Sequence, residues 1–301
     1  MEFWLAFALI IGICISIDLF VVQRKPHAVG FREASAWAVV WIALAMLFNI
    51  GIYIWYDEKR ALEFISAYLI ELSLSVDNVF VFIAIFRYFR TPAEFQRRLL
   101  FWGVLGALAM RALFIILGLA LLQYFHWMMF IFGVVLILTA VRLVLKPSKE
   151  VEIERKWIMR IARRLLPTTP LYHEGAFWVR VNGRFVVTPL FITLLMIETT
   201  DLLFALDSVP AVLAISNDPF IVYTSNAFAI LGLRTFFFLI SKMMEFLVFL
   251  HYGLSVILVF VGVKILFSPI YKIPTSISLG FISMVLFISV LVSLRKSSKM
   301  K

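Results

Sequence analysis

The stretch whose reading decides the fold is ELSLSVDNVF, Glu71–Phe80. It lies within a run apolar enough to cross a bilayer, yet it carries two carboxylates, two serines and an asparagine. A second stretch, ETTDLLFALDSVP (Glu198–Pro210), repeats the acidic frame: Glu71, Asp77, Asn78 and Val79 align with Asp201, Asp207, Ser208 and Val209. An acid at the centre of a span costs about 2.5–3.5 kcal/mol on insertion scales. Packing alone does not explain Glu71, Asp77, Glu198, Asp201 and Asp207 together in two helices.

Working outward, composition fixes the class. Of 301 residues, 63% are hydrophobic and 15% charged, and the mean hydropathy is +1.01. No soluble domain hides that much apolar surface, so an all-α polytopic membrane protein is expected. Nine runs are long enough to span about 30 Å of hydrocarbon as helices: 3–22, 35–56, 61–86, 99–122, 126–145, 188–214, 220–241, 249–267 and 275–294. The first run lacks a basic start and a small-residue cleavage site, and Asp18 interrupts its end; it reads as a retained helix rather than a secretion signal. The net charge of +10 does not point to nucleic acid, because its distribution follows the bilayer. With the N-terminus outside, the exterior segments hold only Lys59, Arg60 and Lys272, and most of the other basic residues fall inside. The positive-inside rule then places the C-terminus in the cytoplasm of a cell (inner or plasma) membrane. Cys14 stands alone, so no disulfide forms within one chain, and it reads as a small apolar filler. His27, His126, His173 and His251 fall at loops or span ends and read as non-ligands; Asp18 reads as an interfacial side chain.

The acidic frames are part of a longer echo. GVLGALAMRALF (Gly103–Phe114) resembles NAFAILGLRTFF (Asn226–Phe237), aligning Arg111 with Arg234. LTAVRLVLKP (Leu138–Pro147) resembles FVGVKILFSP (Phe260–Pro269), aligning Arg142 with Lys264. Aligned acids, bases and prolines in one order mark two related three-helix units. An odd number of spans per unit makes them inverted-topology repeats, a plan that places sites near the midplane between the copies. The organisation is two N-terminal helices (1–60), repeat 1 (61–147), a cytoplasmic loop (148–187), repeat 2 (188–269), and a final helix with a basic tail (270–301). In the loop, VEIERKWIMRIARRLLP suits a helix lying on anionic headgroups, and FWVRVNGRFVV a hairpin turning at Asn182-Gly183. No catalytic group is read there, but the segment 146–187 offers a docking surface for a protein partner.

Arg111 and Arg234 are the charge-balancing residues within the spans, while Arg142 and Lys264 near helix ends snorkel to an interface. Two arginines leave about three acids requiring a proton or a bound cation. On an ideal helix Glu71 and Asp77 stand about 120° and about 9 Å apart, so they line one cavity only if the helix breaks between them. Pro210 allows this, since it frees the Leu206 carbonyl as a ligand. Glu198 and Asp201 share a face. Asn78 and Ser208 add oxygens beside Asp77 and Asp207. An oxygen-only donor set suits a hard divalent cation such as Mn²⁺, Mg²⁺ or Ca²⁺.

ELSLSVDNVF, ETTDLLFALDSVPAV and SNAFAILGLR resemble the signature segments of the TerC family, in its longer Alx-like form, over nearly the whole chain. The resemblance implies a multi-pass membrane protein associated with tellurite resistance, alkaline induction and manganese export. It carries the family's functional acids to Glu71, Asp77, Glu198, Asp201 and Asp207, and Leu72 stands where some relatives have a basic residue. The expected function is export of a hard divalent cation, with Mn²⁺ first, driven by an ion gradient such as protons. Neither a tightly bound cofactor nor an enzyme activity is expected, and the partners are the bilayer and the metal ion. The alternatives are a non-transporting stress or tellurite-resistance factor that scaffolds partners or assists metal loading of exported proteins, and an intramembrane aspartyl hydrolase.

Overall fold

The computed structural model describes residues 2–17, 31–125, 127–145, 167–169, 172, 175–181, 184–243, 250–267, 271 and 273–299. Among them the helices are α1 (Glu2–Ile17), α2 (Phe31–Trp55), α3 (Glu58–Phe89), α4 (Ala93–Tyr124), α5 (Met128–Leu145), α6 (Pro189–Leu213), α7 (Pro219–Met243), α8 (Leu250–Phe267) and α9 (Thr275–Lys299). The described residues of each of the nine apolar runs fall on one of these helices or at its ends. α2, α4, α6, α7 and α9 are long and apolar enough to cross a membrane, and α1, α5 and α8 contain shorter apolar stretches. The protein is an all-α, multi-pass membrane protein.

Local chemistry sets the helix ends. Asp57 caps α3 by accepting from the Arg60 amide at 2.7 Å, and Arg90 closes the helix in the left-handed region at φ 52°. α6 and α7 open on Pro189 and Pro219, first-turn positions where the missing N–H is no loss. Asp218 accepts from the Phe220 amide at 2.9 Å and so caps α7. β1 (Trp178–Val181) and β2 (Arg184–Val187) pair antiparallel with Val181 opposite Arg184, which gives the expected two-residue connection at Asn182-Gly183. The basic stretch 151–166, Asp18, His27, His126 and His173 lie outside the described residues, as do the side chains of Arg142 and His251.

Packing joins the triplets α3–α5 and α6–α8 crosswise. α3 lies along α7, α4 along α6, and α5 along α8. Exchanging α3 with α6, α4 with α7 and α5 with α8 maps this set of pairs onto itself. At the α5–α8 seam Gly133 and Gly262 face each other, and a Cβ on Gly262 would lie 2.8 Å from the Gly133 carbonyl oxygen. Small residues let the two backbones approach where lipid supplies no hydrophobic drive. α2 packs on α7 and α3, and α9 on α3 and α8.

One expectation fails. α3 and α6 run unbroken through their acidic frames, with Pro210 inside α6. Pro210 removes the amide that would bond the Leu206 carbonyl, yet the helix continues through it to Leu213 and is not unwound at Asp207. Lys264 is half-buried, with Glu63 as its neighbouring acid, rather than extended to an interface alone.

Candidate intramembrane carboxylate site

The acidic frames meet where α3, α4, α6 and α7 cross. Glu71 on α3 is fully buried, and Arg111 Nη1 of α4 reaches its Oε1 at 2.5 Å. The same Nη1 donates to Asn226 Oδ1 of α7 at 2.6 Å. Asn226 is oriented in turn, since its Nδ2 donates to the Val222 carbonyl at 3.0 Å. One guanidinium therefore ties three helices and bridges the two triplets. A buried charge is tolerated when paired in this way, although neither Glu71 oxygen meets hydrogen-bond geometry.

Asp201 on α6 is 2% exposed, and its Oδ2 has no hydrogen-bond partner. It lies within Coulomb reach of both Glu71 and Arg111. Asp201 and Arg234 line one small cavity together with Gly103. Glu198, one turn before Asp201, lays its carboxylate against Gly106 of α4, where any Cβ would overlap it. Asn78 and Ser208 are buried, at 2% and 1% exposure. The backbones of Asp77 and Asp207 lie in α3 and α6, and their side chains fall outside the described residues. Among the described residues, no three of His, Cys, Asp and Glu converge into a metal-holding group.

Sequence reasoning missed Asn226, the residue that shares Arg111 with Glu71. Its signal was the first position of the aligned segment NAFAILGLRTFF, where the partner segment has Gly103. It also missed a polar cluster at the end of the bundle formed by the α2–α3 and α6–α7 turns. There Arg60 bridges Asp57 at 2.9 Å and Asp218 at 3.0 Å, and the Ser216 hydroxyl donates to Glu63 at 2.5 Å. The Arg60 backbone amide, which donates to Asp57, holds that carboxyl below its ordinary value, and the Arg60 and Lys59 charges add to the effect.

A multi-pass helical protein with buried carboxylates between two cross-packed helix triplets defines the class. The comparisons give the family. The profile described as "Integral membrane protein TerC family" matches residues 56–301, beginning at the α2–α3 turn. The chain belongs to the TerC family. It is 46% identical to an uncharacterized membrane protein of Myxococcus xanthus over 294 residues, 98% of this chain and 92% of that one. It is 42% identical to the "Putative membrane-bound redox modulator Alx" of Escherichia coli K12 over 300 residues, 96% and 93% of the two chains. An uncharacterized membrane protein of Rickettsia bellii is 39% identical over 280 residues, 92% and 91% of the two chains. No solved structure matches the chain.

Proposed function

We propose that the chain exports a hard divalent cation, with Mn²⁺ as the first candidate. The observation that carries this reading is the pair of buried acids from opposite triplets, Glu71 and Asp201, at a crossing that holds more carboxylates than guanidinium groups. Oxygen donors favour hard cations over Cu⁺ or tetrahedral zinc. The full donor set is Glu71, Asp77, Asn78, Glu198, Asp201, Asp207 and Ser208, with Arg111 and Arg234 balancing charge. The cation is substrate, not a resident cofactor.

Nine crossings, with the N-terminus outside and the triplets inverted, complete the reading. It is supported by the basic-residue distribution and by helix pairs that persist on exchange of the triplets. Rocking of one triplet against the other brings the acids together and opens the site to alternate sides. Protons are the natural counter-ion, because carboxylates exchange metal for protons. The test is Mn²⁺ uptake by inside-out vesicles, with Mg²⁺, Ca²⁺ and Zn²⁺ as competitors. Wild-type protein is expected to load the vesicles, and Asp77→Asn with Asp207→Asn to abolish loading. Equal uptake by that double variant would refute the site. No uptake by wild type, with a protein co-purifying through 146–187, would replace transport by the scaffold reading.

A further inference from the structure

The two triplets correspond in sequence but not in what fills the space beside their arginines. In the aligned segments Asn226 of α7 stands where α4 has Gly103, and Ile230 where α4 has Ala107. The helices exchange in the same way, since α7 packs on α3 as α4 packs on α6. Beside Arg111 the Asn226 amide occupies the space and accepts at 2.6 Å. Beside Arg234 the corresponding position offers only the hydrogen of Gly103. A cavity with room for about one water molecule lies there, bordered by Gly103, Ala107, Leu233, Asp201 and Arg234.

The chemistry of the wall selects the occupant. Asp201 borders the chamber, is 2% exposed, and has one oxygen, Oδ2, without a hydrogen-bond partner. Buried polar atoms are almost always paired with protein or ordered water. An apolar occupant would leave this oxygen orphaned. A divalent cation needs six or more oxygen ligands, and a small wall with a single carboxylate and an arginine is the wrong one for it. A water molecule fits both sides, donating to Asp201 and accepting from Arg234. We propose that the Asp201–Arg234 half-site binds one ordered water in the place that the Asn226 amide fills beside Arg111. The two carboxylates are then inequivalent: Glu71 faces the Arg111 guanidinium, which the Asn226 amide also engages, and Asp201 borders a chamber that water fills. This holds whether or not the protein moves metal.

The test is X-ray radiolysis footprinting of the full chain in nanodiscs, in which hydroxyl radicals born from bound water oxidise the adjoining side chains. Leu100, Ile197 and Leu233 border the cavity, and Leu136, fully buried in α5, is the dry reference. The expected result is oxidation of the cavity residues several-fold faster than Leu136. It should fall to the Leu136 rate in Gly103→Asn, whose amide takes the place of the water. Should that variant fail to fold, Gly103→Ala serves, because its Cβ lies 3.1 Å from Ile197 and narrows the same chamber. Wild-type rates equal to that of Leu136, or rates unchanged in the variant that folds, would overturn the proposal.

Discussion

Arg111 is the residue whose loss is most informative. Arg111→Met keeps a long unbranched side chain and deletes the charge. It leaves the Glu71 carboxylate and the Asn226 amide oxygen buried without their shared donor. Breaking a buried pair by removing one partner costs about 3–5 kcal/mol, because the remaining charge keeps its desolvation penalty and loses its compensation. For a chain of this size each kcal/mol lowers Tm by about 2–4 °C, so a fall of about 10 °C is expected. Cys14 is the single cysteine and is 7% exposed, so a thiol-reactive dye in detergent reports unfolding directly. The decisive comparison is Glu71→Met with Arg111→Met. Replacing a buried ion pair by apolar groups is often neutral, so the double variant should recover most of the loss and show a coupling of about 2 kcal/mol or more. Additive losses in the double variant would refute the account, since they would mean that the two side chains stabilise the bundle independently.

Three further outcomes follow from the same packing. Gly262→Leu should lower Tm by an amount corresponding to about 1–3 kcal/mol of overpacking, because its Cβ meets the Gly133 backbone; Gly12→Leu, with nothing within 4 Å of its Cβ, should leave Tm unchanged in the same melt. Gly106→Ala should fold normally, since the flexible arm of Glu198 swings aside, but should alter the Mn²⁺ uptake rate; unchanged uptake would show that the seat of Glu198 on α4 plays no part. The depressed carboxyl of Asp57 contributes stability that is present above the ordinary aspartate value and is lost as pH falls through the folded value. Asp57→Asn should therefore melt lower than wild type at about pH 7, with the gap closing below about pH 4.

The helices were legible because a bilayer imposes length and hydropathy directly on sequence. The 35–56 run became Phe31–Trp55, and the 220–241 run became Pro219–Met243. The hairpin was legible from Asn182-Gly183, a local turn signal. Arg111 was legible as a counter-charge, since an unpaired guanidinium in lipid needs a partner. Its second partner was not, because Asn226 lies on another triplet and meets Arg111 only through the packing of α7 against α4. The helix break was misjudged for a related reason: a proline removes one backbone hydrogen bond, but whether the helix parts there depends on the packing around it, and α6 continues to Leu213. Asp218 and Glu63 were passed over as ordinary polar residues, because only the fold brings the α6–α7 turn against the start of α3.

The inequivalence of the half-sites has a consequence for any ion that reaches the crossing. Glu71 Oε1 pairs with a guanidinium that also donates to Asn226, so moving α4 from α3 would disturb its contact with α7 as well. Both Glu71 oxygens and Asp201 Oδ2 lack hydrogen-bond partners, but Asp201 borders a cavity and Glu71 does not, so Asp201 has room for a new partner. The carboxylate on α6 is therefore the one with space beside it in this conformation. A symmetric pair of half-sites would give no preference between the two. The difference between Asn226 and Gly103 in the aligned segments sets the difference in space beside the two arginines.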